Sequence, residues 1–267
     1  MNKYVLLNRL SKDDDKHLIG KILDKYQYCI QKNKITNTNF LNEYQKNLIQ
    51  KSLASLKISN YLFAGAYENC ERTMLIFYPE KFSQDIVNSN LNNIISIIRI
   101  ILPKELYNAY THRDYLGAIM KLGIEREKVG DILVFADGAD IIICNDMKVY
   151  LINNLTSLTR FKKSKIDEVK FESLRTPVST LEKFDIYIPS MRLDCILAEL
   201  IHCSRSKACE FIYSEKIFVN FSPEINKNKL LRENDILTIR GKGRFKIGNI
   251  IRNTKKGNII LSIYKYK

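Results

Sequence analysis

The residues with the most to offer chemically lie between Met191 and Lys246. Arg192, Arg205, Lys207, Lys216, Arg240, Lys242 and Arg244 are cations, with Ser204, Asn220 and Gly241 set among them. Ser204 is a good helix N-cap, and Arg205 and Lys207 fall in the first turn after it. Cations there oppose the helix dipole, an arrangement that an anion relieves, because free N–H groups and two charges converge on it. Gly241 and Gly243 let a basic turn bring its backbone close to a partner. Contacts of this kind grip RNA by shape and sugar–phosphate backbone rather than by base edges. Asn220 and the turn backbone are expected to fix the geometry, while the arginines and lysines contact phosphates.

Other combinations offer less. His112-Arg113-Asp114 has no kinase-type glycine loop and no downstream Asp-Phe-Gly, so capping and packing account for it. The six cysteines contain no C-x-x-C pair. His202-Cys203, with Cys195 and Cys209 nearby, lacks metal-ligand spacing. Gly241-Lys242-Gly243-Arg244 lacks the spacing of a phosphate-binding P-loop. Tyr264 and Tyr266 suit either base stacking or a packed or free tail. The expectation is no catalytic residue, no metal and no cofactor.

Charge supports the same location. The 267 residues carry a formal +14, an excess that favours polyanionic partners. Residues 190–267 hold 16 Lys and Arg against 7 Asp and Glu, a net +9, while the preceding 189 residues hold 27 against 22, a net +5. No apolar run approaches the roughly 20 residues a membrane span needs, since Ile94–Leu102 is short and contains Arg99. Asn8 and Arg9 interrupt the apolar start, unlike a signal peptide. A cytoplasmic chain without membrane insertion is expected.

The elements that must position these residues follow from periodicity. Leu18, Ile19, Ile22, Leu23 and Tyr26 predict a helix over 12–32. Asn37-Thr38-Asn39 reads as a turn and cap, with a second helix carrying Phe40, Leu41, Tyr44, Leu48, Leu53 and Leu56. Tyr61–Tyr67 and Thr73–Tyr78 read as strands. From 94 to 173 the order is strand, helix, strand, strand, helix, strand, the split βαβ pattern. Thr111 and Asp114 form a capping box there, and Asp137-Gly138 marks a tight hairpin. Phe184, Ile186 and Ile188 alternate as an edge strand. Leu193, Ile196, Leu197, Leu200 and Ile201 make one apolar helical face. A second helix starts at Ser204, strands follow at 217–220 and 235–240, and a last hairpin turns around Lys255-Lys256-Gly257-Asn258.

The fold class is therefore α+β. An N-terminal helical and β-hairpin region covers 1–90. A central ferredoxin-like βαββαβ domain, a second candidate for RNA binding, covers 91–175. A linker with the edge strand spans 176–189, and a small α+β module spans 190–267.

Arg-Leu-Asp at 192–194, Ser-Arg at 204–205, Phe-Val-Asn at 218–220, Asp235 and Arg-Gly-Lys-Gly-Arg-Phe at 240–245 resemble the RNA-binding module named after ribosomal protein S-four. The flanking chain resembles the bacterial YlmH family. Gly-Ala-Tyr-Glu-Asn-Cys-Glu-Arg at 65–72 is similar to its N-terminal signature. Thr-His-Arg-Asp-Tyr-Leu-Gly at 111–117, Leu-Gly-Ile-Glu-Arg-Glu-Lys-Val-Gly-Asp-Ile at 122–132 and Leu-Thr-Ser-Leu-Thr-Arg at 155–160 are similar to its later ones. Glu215 stands where that family usually has Gly, so a left-handed turn there carries strain.

The resemblance implies a non-enzymatic, monomeric protein that binds ribosomal RNA and tRNA on large subunits still carrying peptidyl-tRNA. It also implies a link to cell division. Two other classes remain open on the sequence. One is an RNA-modifying enzyme, since Arg192-Leu193-Asp194 resembles a pseudouridine synthase signature. The other is a cell-division adaptor that binds a protein.

Overall fold

The computed structural model describes residues 3–68, 70–176, 181–254 and 257–266. They form two compact units, Met1–Pro177 and Val178–Lys267. Pro177, Lys255 and Lys256 lie outside the described residues, as does Asn69 of the 65–72 signature. Among the described residues no helix is long and apolar enough to cross a membrane.

In the first unit, α1 (Lys3–Asn8) and α2 (Asp13–Lys32) precede β1 (Thr36–Leu41), and α3 (Glu43–Ser55), β2 (Tyr61–Ala64) and β3 (Thr73–Phe77) follow. The 37–39 turn and the placement of Phe40 and Leu41 on a helix are corrected here, because both lie in β1. The cap is Asn42. Its side chain accepts from Gln45 N at 2.9 Å, and its own N–H donates to Gln45 Oε1 at 2.9 Å. Those two bonds satisfy helix-end donors and start α3 only after the strand has ended. The strands pair antiparallel in the order β1-β3-β2. One face packs on the helices through Ile19, Ile22, Leu23, Ile49, Leu53, Leu75 and Phe77.

A short α4 (Gln84–Ser89) leads into β4 (Ile95–Ile101), α5 (His112–Lys121), β5 (Val129–Phe135), β6 (Gly138–Cys144), α6 (Lys148–Leu155) and β7 (Lys165–Val169). The four strands are antiparallel in the order β5-β6-β4-β7. With two crossover helices this is the ferredoxin-like arrangement. The hairpin turns on Ala136-Asp137, and Gly138 opens β6 opposite Phe135. Glycine is required there: at φ +152 an added Cβ would lie 1.9 Å from the Ile100 carbonyl oxygen.

α5 and α6 cover one face of this sheet with Tyr115, Ala118, Ile119, Leu151 and Leu155. The N-terminal sheet covers the other. Phe40 and Met74 share one core with Ile95, Ile97, Leu133, Ile142 and Cys144. Gly130 allows this approach, since a Cβ there would meet the Phe40 ring at 2.9 Å. Consequently β6 is buried at all seven positions.

The second unit contains β8 (Leu181–Ile188), α7 (Leu193–Leu200), α8 (Arg205–Tyr213), β9 (Ile217–Val219), β10 (Ser222–Pro223), β11 (Ile236–Ile239), β12 (Gly243–Asn253) and β13 (Ile259–Tyr266). Its sheet runs β10-β9-β11-β12-β13-β8. β8 is the edge strand, paired along its whole length with β13. The two helices pack on one face, where Leu193, Ile196, Leu197, Ala208 and Ile212 meet Val219, Leu237, Ile239, Phe245, Ile247 and Ile263.

Candidate nucleic-acid interface

The centre of the basic region is Asp194 in the first turn of α7, only 2% exposed. The loop before β11 fixes the start of that helix: Leu193 N donates to Lys229 O at 2.8 Å, and Arg192 bridges to Leu230. Arg192 is the N-cap residue with extended backbone, so its side chain doubles back on the residue two places on. Its Nε and Nη2 donate to the two Asp194 oxygens at 3.0 and 2.9 Å. Arg205, at the start of α8, donates Nη2 to Asp194 Oδ2 at 2.6 Å.

Burial works to raise the Asp194 pKa, and the two guanidinium groups overcome it, holding the carboxyl well below the usual carboxylate range. Both arginines are pushed further toward their charged form by the same bonds. A guanidinium has five donors. Arg205 gives one of them to Asp194, and its side chain remains 56% exposed against 34% for Arg192. The carboxylate therefore aims the arginines without consuming them.

Ser204 caps α8 by accepting from Lys207 N at 3.3 Å, and the Lys207 side chain is exposed. The expected convergence of free N–H groups and two loose cations is thus modified. One N–H is used by the cap, and Arg205 is oriented by Asp194 rather than by the helix terminus.

The remaining basic residues fall at the other end of α8 and along the sheet. Glu215 follows that helix at φ +55, a left-handed conformation that glycine adopts at less cost. Lys216 Nζ lies 5.7 Å from the Phe211 ring. Asn220 is also left-handed, at φ +49. Its side chain donates to Asp235 Oδ1 at 2.8 Å and accepts from Ile236 N at 2.9 Å. Asn220 thus locks the β9 turn onto β11, and both ends of its amide are occupied within the fold.

The turn between β11 and β12 is Arg240-Gly241-Lys242, with Ile239 opposite Gly243. Gly241 has φ +81 and Gly243 φ +122. Lys242 is exposed at its tip. Arg244, expected in the turn, is a β12 residue opposite Thr238. Arg240 stacks 4.7 Å from the Phe218 ring, and Arg244 lies 5.3 Å from Phe221 and 5.8 Å from Tyr266. Asp194 as anchor and Phe218 and Phe221 as stacking partners are not among the site residues the sequence suggests. Arg192-Leu193-Asp194 is a visible signal for the first; the aromatic contacts depend on strand pairing and leave no local pattern.

The signatures of the first unit meet in space. Asp131 accepts from Tyr67 Oη at 2.7 Å, Glu71 N at 2.8 Å and Arg72 N at 3.1 Å. Burial raises the pKa of Asp131 against the hydrogen bonds that favour its carboxylate, and raises that of Tyr67 together with its bond to Asp131. Arg72 Nε donates to Val129 O at 2.9 Å and Nη2 to Phe40 O at 3.0 Å, and burial lowers its pKa to about 10. These groups tie the 65–72 segment to β1 and β5. Asp114 accepts from Thr111 N, Thr111 Oγ1 and Arg160 Nη1, so the 111–117 and 155–160 signatures also meet. Arg99 and Arg175 share the fully buried Asp140, and Arg175 also pairs with Asp137. Among the described residues no group of three or more His, Cys, Asp or Glu is placed to hold a metal ion.

Comparison with known proteins adds three likenesses. A solved structure of a Streptococcus pneumoniae protein, "Cell division protein ylmH", is 19% identical with a TM-score of 0.48, covering 62% of this chain and 98% of that one. The family described as "Putative RNA-binding domain in YlmH" matches residues 89–173. A Bacillus subtilis (strain 168) protein, "Ribosome-associated protein quality control protein P2", is 24% identical over 243 residues, 91% of this chain and 92% of the relative. Residues 89–173 thus match the putative RNA-binding domain of YlmH, and nearly the whole chain, including the segments that meet at Asp131 and Asp114, is similar to the B. subtilis relative.

Proposed function

We propose that this protein binds ribosomal RNA and tRNA on the large ribosomal subunit, acting in rescue of stalled subunits that carry peptidyl-tRNA. It acts by binding rather than by catalysis, as a monomer in the cytoplasm. The observation that carries the reading is the pair of arginines aimed by buried Asp194. A carboxylate sequestered under two guanidinium groups leaves outward-facing donors in fixed geometry, which suits phosphate oxygens. Lys207, Lys216 and Lys242 add charge, and Arg240 and Arg244 are held on aromatic rings. The B. subtilis relative, matched over 91% of this chain, supports the ribosomal setting through its name.

Replacing Arg205 and Lys207 together by Gln removes two phosphate contacts. RNA affinity is expected to fall, and the slope of log K against log salt to flatten by about 1.5, at roughly 0.7–0.9 per contact. Filter binding of large-subunit RNA across a salt series measures both, with ribosome co-sedimentation alongside. Unchanged affinity and slope would rule out this surface. Mass spectrometry of nucleosides from treated ribosomal RNA tests the non-catalytic reading, which a new modification would overturn.

A further inference from the structure

The face of the second unit's sheet turned away from α7 and α8 is unlike an ordinary solvated face. Phe218, Thr238 and Arg244 stand opposite one another on β9, β11 and β12. Arg244 reaches the Tyr266 ring on β13, and Tyr266 pairs with Leu181 on β8. The adjacent row runs Ile236, Lys246, Tyr264 and Lys183, with Lys183 Nζ 5.9 Å from the Tyr264 ring. Facing residues of paired strands point the same way, so both rows lie on one surface. None of these positions is a carboxylate. Phe218, Phe221, Tyr264 and Tyr266 are each half-buried, and the helices of this unit pack on the opposite face.

Aromatic rings interleaved with cations on the helix-free face of an antiparallel sheet match the chemistry of unpaired nucleotides. Bases stack on rings and guanidinium planes, while lysines follow the phosphates. Duplex RNA keeps its bases paired inside the helix and offers little to such a surface. We infer that this sheet face is a stacking platform for single-stranded RNA, separate from the duplex-gripping edge at Arg205 and Lys207 on α8. The inference rests on the RNA-binding reading and adds a second class of RNA to it. Tyr266 and Tyr264 provide rings for successive bases, Arg244 provides a cationic plane beside Tyr266, and Lys183 and Lys246 neutralise the backbone.

The test uses the full chain and two probes. One is an unstructured RNA decamer carrying 2-aminopurine; the other is an RNA hairpin with a fully paired stem and a tight loop. The wild-type protein is expected to bind both and to quench the 2-aminopurine. Tyr266→Leu is expected to weaken decamer binding about tenfold and relieve the quench, and to weaken the hairpin far less, because Phe221 still holds Arg244. Tyr266→Phe keeps the ring and is expected to bind the decamer like wild type. Hairpin binding without decamer binding overturns the platform and leaves the proposed function standing. Equal loss of both RNAs in Tyr266→Leu marks the ring as structural and also overturns it. Decamer binding that survives both Tyr266→Leu and Tyr264→Leu does the same. If neither RNA binds the wild-type protein, the RNA reading itself fails.

Discussion

Asp194→Asn separates two accounts of the basic surface. The substitution keeps the size of the side chain and removes one negative charge. Charge counting then expects tighter RNA binding, because the module gains a net positive unit. The geometry expects the reverse. Three charge-assisted bonds, from Arg192 Nε, Arg192 Nη2 and Arg205 Nη2, end on this carboxylate. An amide offers one oxygen and turns an NH2 group toward guanidinium donors. Each lost charge-assisted bond is worth about 1.5–3 kcal/mol. Both arginines are substantially exposed and regain water, so the net cost to the second unit is about 2 kcal/mol.

A cost of that size raises hydrogen exchange from α7 and α8 peptides about 30-fold where exchange proceeds through opening of this unit. Released from the carboxylate, Arg205 samples many rotamers, and RNA affinity is expected to fall about fivefold despite the added charge. Stability against pH gives a further signature. The folded carboxyl lies below its ordinary value of 3.8, so between the two values the unfolded chain holds more protons. Its contribution is complete above 3.8 and is lost as pH falls through the folded value. Asp194→Asn lacks that acid-limb loss. Tighter RNA binding with unchanged exchange would refute the anchoring argument.

Two further substitutions have defined outcomes. Glu215→Gly relieves a left-handed φ of +55 and is expected to stabilise the second unit by about 1 kcal/mol, partly offset by the entropy of glycine; a lower urea midpoint would contradict this. Arg72→Met removes the donors to the Val129 and Phe40 carbonyls and is expected to cost the first unit about 3 kcal/mol, read as faster exchange in β1 and β5; unchanged protection there would show that Arg72 does not tie the segments together.

What was legible in the sequence was local. The i, i+3, i+4 pattern located α2, α7 and α8 closely, and the strand–helix alternation from 94 to 173 yielded the ferredoxin-like strand order. The pattern does not resolve β1, because adjacent Phe40 and Leu41 satisfy a helical period as well as a strand. Pairing with β3, more than 30 residues away, decides the matter. The Gly241-Lys242-Gly243-Arg244 run reads as a turn that includes Arg244, yet Phe245 behind it is buried and fixes the alternation of a strand. Asp194 and Arg205 are eleven residues apart and meet only because the α7–α8 turn folds back. Cross-strand stacking of Arg240 on Phe218 has no signature until the register is known.

The use of each sheet face limits where RNA can be read. An antiparallel sheet can stack bases only on a face left uncovered. In the first unit Phe40 and Met74 close the face opposite α5 and α6. Contact between residues 89–173 and RNA would therefore have to use helices, loops or strand edges there, not the sheet surface. That constraint follows from the 65–72 signature itself, because Tyr67 and Arg72 hold the covering sheet through Asp131 and Val129. The second unit keeps its helices on one side and places Tyr264, Tyr266, Arg244 and Lys183 on the other. A ferredoxin-like domain is thus a poor guide to binding mode in this chain: both faces of its four-stranded sheet are spent on folding, and the six-stranded sheet of the second unit is the one whose helices cover a single face.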